Sequence, residues 1–322
     1  MRRRLLSFKQ LEPFSMGRHA ASVLISMGAA IGCSRFDLLN ATVPKRTYVA
    51  TRDVAYGQQP RQKLDIFQPK NAGKPAAVVI FFYGGDWRSG SKADYLFVAE
   101  ALASRGFVAV LPDYRLYPET TFPGFVQDGA AAIRWTHDHI DEFGGDPQRL
   151  FLLGHSAGGH IAALLTLDET YLQEVGLDRS VIRATTTLAG PFAFAPREGD
   201  VPVFAMRSAD EPAPFASMPV NVVDGKAPPM QILHGATDTI VDPANVQRLS
   251  DRINAVGGAV RTAIYPGKGH VSIVLSLAWS FRWLTPALND LTNFFREIDA
   301  RPAVGSLHSP LRHQDTKAQR GE

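Results

Sequence analysis

Ser156, Asp238 and His270 are three polar side chains whose types and chain order could do nucleophilic chemistry. A hydroxyl is a weak nucleophile until a base takes its proton, and the base works only in the orientation that an acid fixes. Ser156 stands in Gly154-His155-Ser156-Ala157-Gly158, behind the apolar run Leu150–Leu153 and ahead of the small-residue stretch Ile161–Leu165. A strand, a sharp turn and a helix in that order would lift the serine oxygen clear of a sheet, and the flanking glycines let strand and helix touch. Asp238 follows the apolar run Met230–Leu233 through His234-Gly235-Ala236-Thr237, and His270 ends the loop that begins after Val260–Tyr265. All three therefore fall just past strand ends. Asp242 is a rival acid, but Asp242-Pro243 reads as a helix N-cap with proline at the first helical position. His155 and His160, beside the turn, are expected to pack or to contact substrate.

A charge developing on a carbonyl oxygen needs fixed N–H donors, and losing one slows acyl transfer ~10²–10³-fold. One donor should be the amide of Ala157. The others should follow the strand Ala76–Phe82, where Tyr83-Gly84-Gly85-Asp86-Trp87 can turn its amides inward. Gly85 and Asp86 are the candidates, with Gly84 shaping the turn; the plainer reading is a Gly-Gly turn that only connects strand to helix. Tyr83, Gly84, Trp87 and His155 are the candidate substrate contacts.

The elements that must position these groups are legible as alternating patterns. Arg46–Tyr56 and Gln62–Phe67 read as an antiparallel edge pair around Gly57-Gln58-Gln59-Pro60. Continuous apolar runs follow at Ala76–Phe82, Phe107–Leu111, Leu150–Leu153, Ala184–Leu188, Met230–Leu233 and Val260–Tyr265, as expected for parallel strands buried on both faces. Helical stretches lie between and after them: Ala93–Arg105, Phe125–Ile140, Gly158–Leu167, Pro243–Val256 and Ala287–Ile298. Strand and helix alternate, which gives an α/β sheet with crossover helices. Residues 190–228 break the rhythm with prolines and scattered aromatics, and read as a cap, a pocket wall or an irregular loop packed on itself. Leu275–Leu284 reads as a packed amphipathic helix rather than a membrane contact.

The 322 residues, 45% hydrophobic and 20% charged with a net charge of +3, suit one large globular domain. No basic stripe interleaves with aromatics, so nucleic-acid binding has no support. The single cysteine, Cys33, excludes an internal disulfide. It follows an uncharged, largely apolar run, residues 20–32, behind a basic start, and that run is too short to span a bilayer. Ala30-Ile31-Gly32-Cys33 resembles the lipobox of bacterial lipoproteins, in which the cysteine is lipidated. The alternatives are a cleaved or disordered leader with an incidental cysteine, and a true start at Met16. The expected division is a leader over 1–33, a linker over 34–45, a domain over 46–299 and a disordered tail over 300–322. The lipobox reading places the protein at the periplasmic side of a bacterial envelope, with the membrane surface as a partner; otherwise it is exported or cytoplasmic.

His-Ser-Ala-Gly-Gly, the Tyr-Gly-Gly-Asp-Trp loop, Asp113-Tyr114-Arg115-Leu116 after a strand and His234-Gly235-x-x-Asp238 together resemble the α/β-hydrolase superfamily. More narrowly they resemble the branch of hormone-sensitive-lipase-like carboxylesterases, feruloyl-esterase-like proteins and kynurenine formamidases, over roughly residues 47–298. The resemblance implies a mostly parallel sheet of about eight strands with helices on both faces and a small cap insertion. It also implies acyl hydrolysis through an acyl-serine, with neither cofactor nor metal. The expected activity is hydrolysis of short or medium acyl esters. The alternatives are a formamidase acting on N-formylkynurenine-type amides and a non-catalytic surface-binding lipoprotein. Tyr83 stands where the branch usually has histidine in His-Gly-Gly-x-Trp.

Overall fold

In the computed structural model, which describes residues 35–71, 75–194, 198–206 and 214–301, the strands are β1 (Tyr48–Ala55), β2 (Lys63–Pro69), β3 (Ala76–Phe82), β4 (Val108–Pro112), β5 (Gly145–His155), β6 (Ile182–Leu188), β7 (Met230–Gly235) and β8 (Val260–Tyr265). They form one sheet in the order β1-β2-β4-β3-β5-β6-β7-β8. Only β2 runs antiparallel to its neighbours β1 and β4; every other pairing is parallel. The apolar runs explain the middle of the sheet: every residue of β3 and β4 is buried.

The helices are α1 (Arg35–Ala41), α2 (Leu96–Ala103), α3 (Gly124–His139), α4 (Ala157–Leu167), α5 (Thr170–Glu174), α6 (Asp200–Val203), α7 (Ala244–Ala255), α8 (His270–Leu275) and α9 (Ala287–Asp299). The chain steps from β3 back to β4 and then forward past β3 to β5. Right-handed crossovers therefore put α2 and α3 on opposite faces. α3 packs on α4, while on the other side the turn after α2 meets α9, where Arg105 Nη2 donates to Asn289 Oδ1. Such a reversal of strand order opens a crevice at the carboxyl ends of the strands, and β3 and β5 flank it.

Three expectations need correcting. Val260–Tyr265 is a strand, but as the sheet edge it is largely exposed; its Arg261-Thr262 pair faces solvent. The segment read as a linker holds α1, whose Phe36 ring meets Tyr95 and whose Asn40 amide donates to the carbonyls of Ala93 and Asp94. Leu275–Leu284 is not one helix: α8 ends at Leu275, and a single 3-10 turn, Trp279–Phe281, follows. The leader with Cys33 and the tail from residue 302 lie outside the described residues. No helix among the described residues is long and apolar enough to cross a membrane.

Candidate active site

Strand β5 delivers Ser156 at a reversal so tight that its backbone is left-handed, with φ 54 and ψ −122. Only small neighbours permit the turn. A Cβ on Gly154 would lie 2.2 Å from the carbonyl oxygen of Gly158, and one on Gly158 would lie 2.1 Å from that of Phe82, both inside hard contact. β3, β5 and the start of α4 are thereby pressed together, and the serine hydroxyl stands above the sheet. A φ of this kind in a non-glycine residue costs about 1–3 kcal/mol, so the rest of the fold enforces it.

Asp238 and His270 come to the same place from two neighbouring strands. Their loops are stitched by main-chain bonds, from Ala236 N–H to the carbonyl of Tyr265 and from Thr237 N–H to that of Lys268. His270 Nε2 lies 2.8 Å from Ser156 Oγ, and His270 Nδ1 lies 2.8 Å from Asp238 Oδ2. The three residues expected to act together are hydrogen-bonded in series. Asp238 Oδ1 accepts from the amides of Ile240 and Val241, each at 2.9 Å. Burial works against ionisation of Asp238. The hydrogen bonds from His234, His270, Val241 and Ile240 outweigh it and hold the carboxyl far below its ordinary range. It is therefore held as an anion behind the imidazole. Asp242, the rival, instead accepts from the Ala244 amide at the start of α7 and is exposed.

The loop after β3 lies against the turn at Ser156. Gly85, Asp86 and Trp87 take φ values of 142, 57 and 57, so three consecutive residues carry unusual backbone. The Gly84 amide is engaged by the hydroxyl of Tyr95; Gly85 and Asp86 follow it on the same loop, and Ala157 begins α4 directly after Ser156. Asp86, Trp87, Ser156 and Ala157 all line a cavity of about 340 Å³.

Pro191, Ala193, Phe194 and Asp200, from the irregular 190–228 stretch, wall that cavity. Trp87 and Phe194 stack at 6.1 Å between centroids, and Phe204 and His160 meet the Trp87 ring edge-on at 5.0 and 5.1 Å. The floor is aromatic, and the opposite rim carries Ile240, Val241, Asp242, Asn245 and Arg248. Sequence pattern gave no signal for the rim residues, because Asn245 and Arg248 lie on an ordinary amphipathic helix.

Of the expected substrate contacts, only Trp87 lines the cavity. Tyr83 is buried with its ring between Tyr95 and Tyr114, at 5.7 and 4.6 Å, and its hydroxyl on Arg61 Nη2. It packs in the place where a histidine is usual and does not reach the cavity. Gly84 sits against the side chain of Ser156, so a Cβ there would come within 2.8 Å of the Ser156 Cβ. His155 is turned away from the cavity; its Nε2 donates to the backbone carbonyl of His270 at 3.2 Å. Burial and then the nearby His270 ring push His155 down to about 3. His160 is also buried, donates from Nε2 to the carbonyl of Ser217 at 2.7 Å, and is held by burial at about 4.

The BD-FAE family model matches residues 64–189, from β2 through the turn at Ser156 to the end of β6. Esterase LipC of Mycobacterium tuberculosis is 34% identical over 70% of this chain and 60% of its own length. A probable isoprenylcysteine alpha-carbonyl methylesterase, ICMEL1, of Arabidopsis thaliana is 30% identical over 76% of this chain and 57% of its own. The chain thus spans about three fifths of these curated relatives. Among solved structures, esterase 2 of Thermogutta terrifontis aligns with a TM-score of 0.63 at 26% identity, covering 81% of this chain and 96% of that one. Esterase B of Lactobacillus rhamnosis aligns with a TM-score of 0.69 at 22% identity, covering 87% and 94%; at that identity the likeness shows the fold.

Proposed function

Because the chain belongs to the α/β-hydrolase carboxylesterase family, we propose that it hydrolyses carboxylic esters of short or medium acyl chain through an acyl-serine. The observation that carries the reading is the series Ser156 Oγ, His270 Nε2, His270 Nδ1 and Asp238 Oδ2, closed by two contacts of 2.8 Å at the edge of the cavity. As Ser156 Oγ attacks the ester carbonyl, its proton passes to His270 Nε2. The imidazolium that forms is stabilised through its Nδ1–H by the Asp238 anion. The amides of Ala157, Gly85 and Asp86 receive the oxyanion. Collapse breaks the bond to the alcohol oxygen, which leaves with the proton from Nε2. Water then gives its proton to Nε2, attacks the acyl-serine and releases the acid, and Ser156 Oγ recovers its hydrogen.

The cavity is near the lower end of the range for small-molecule sites. Its aromatic floor at Trp87 and Phe194 suits an apolar acyl group of few carbons, and its polar rim suits the alcohol portion. We also infer from the lipobox-like sequence at Cys33 that the protein is held at a membrane surface by lipid.

The test is turnover of p-nitrophenyl acetate and butyrate by the parent and by Ser156→Ala. The parent should turn over and the variant should lose at least about 10³-fold in kcat. Equal rates would end the proposal. N-formylkynurenine assayed beside them separates ester from formamide hydrolysis: cleavage of the formamide alone would replace the ester reading.

A further inference from the structure

His234 is wholly buried near the end of β7, and the steps described so far assign it nothing. Its Nε2 lies 3.0 Å from the carbonyl oxygen of Val241 and 3.1 Å from Asp238 Oδ2. A carbonyl can only accept, so Nε2 carries the hydrogen, and that one N–H is shared between the carbonyl and the carboxylate. Nδ1 of the same ring is buried without a partner. A hydrogen there would be left unsatisfied, and the bare Nε2 would then face two acceptors, each at a cost of about 1–3 kcal/mol. The surroundings therefore dictate the tautomer.

We propose that His234 is a positioning residue whose Nε2–H fixes the carboxylate oxygen that meets His270, and so keeps the His270 imidazole aimed at Ser156. The proposal rests on the esterase reading above. Asp238 has two differently held oxygens. Oδ1 is set by the amides of Ile240 and Val241 on its own loop, whereas Oδ2 is set by the two histidine rings alone among the contacts of the carboxylate. Without His234, His270 would be the only side chain directing Oδ2. The carboxylate plane could then rotate about Oδ1, and Nε2 of His270 would drift from the serine hydroxyl. A misplacement near 1 Å costs roughly 100-fold in rate. Ala236 and Thr237 already join the two loops through the main chain, so the loss would fall on orientation rather than on assembly.

The experiment compares full-length parent, His234→Leu and His234→Gln. It reads kcat and KM for p-nitrophenyl butyrate, and the rate at which a fluorophosphonate labels Ser156. Leucine removes the donor; glutamine keeps an N–H. His234→Leu should lose about 30- to 100-fold in kcat and in labelling rate, with KM within about threefold, while His234→Gln should stay within about fivefold of the parent. A leucine variant that labels as fast as the parent, or two variants slowed equally, would overturn the proposal. So would ¹⁵N spectra of the histidine-labelled parent, assigned by difference with His234→Gln, that show His234 protonated at Nδ1; this holds even if the leucine variant does not fold. A parent that labels but does not turn over esters would remove the esterase reading, and the labelling rates would still decide the role of His234.

Discussion

The hydroxyl of Tyr114 donates to the carbonyl oxygen of Tyr83 at 2.7 Å, while the N–H on the other side of that peptide bond, from Gly84, is taken by the hydroxyl of Tyr95. One peptide plane is thus gripped at both ends, immediately before the residues proposed to receive the oxyanion. The three rings stack on one another, so the grip is set in a rigid apolar block. Tyr114→Phe keeps the stack and removes one hydroxyl. It should lower kcat for p-nitrophenyl butyrate about tenfold with KM little changed, because donor orientation matters most in the transition state. A fall confined to KM would show that the grip serves binding instead.

On the proposed reading, the aromatic floor sets acyl length. Phe194 lines the cavity and stacks on Trp87, so Phe194→Ala should lengthen the space. The ratio of kcat/KM for p-nitrophenyl octanoate over acetate should rise about tenfold, since each buried methylene is worth about 0.8 kcal/mol. An unchanged ratio across the acyl series would place the acyl group elsewhere.

Acid should unfold the protein early. His155 and His160 sit at about 3 and about 4 in the folded chain against roughly 6.5 when unfolded. Below about 6.5 the unfolded chain binds protons that the folded chain refuses, so stability must fall with pH. The contribution of both groups is complete above that point. It declines as the pH drops, with both groups acting down to about 4 and His155 alone to about 3. Each group contributes roughly 1.4 kcal/mol per pH unit in its window, so urea unfolding should lose roughly 4–5 kcal/mol between pH 6.5 and 4.5. His160→Leu should halve the slope. Stability that stays flat over this range in the parent would rule the account out.

The membrane inference is read at Cys33. Cells expressing the full chain and fed labelled palmitate should incorporate it into the parent and not into Cys33→Ala, and the variant should move to the soluble fraction. Equal incorporation would exclude lipid attachment at that residue.

Chain order and strand patterning were enough to bring Ser156, Asp238 and His270 together, because each stands within five residues of an apolar run and parallel strands end on one side. Side-chain direction was less legible. His155 and Tyr83 border the site in sequence, yet the pleat and a distant tyrosine pair turn both inward. His234 was visible only as part of a motif; its bond to the Val241 carbonyl depends on the chain turning back after Asp238. The run Val260–Tyr265 reads alike in the centre or at the edge of a sheet, save for Arg261-Thr262. Helix α1 is too short to be stable alone, and the contact from Phe36 to Tyr95 that holds it spans 59 positions.

The left-handed backbone at Ser156 sets stability and reactivity against each other. Glycine would occupy that corner without strain, so on the proposed reading a chain with glycine in place of Ser156 would come out firmer and inert.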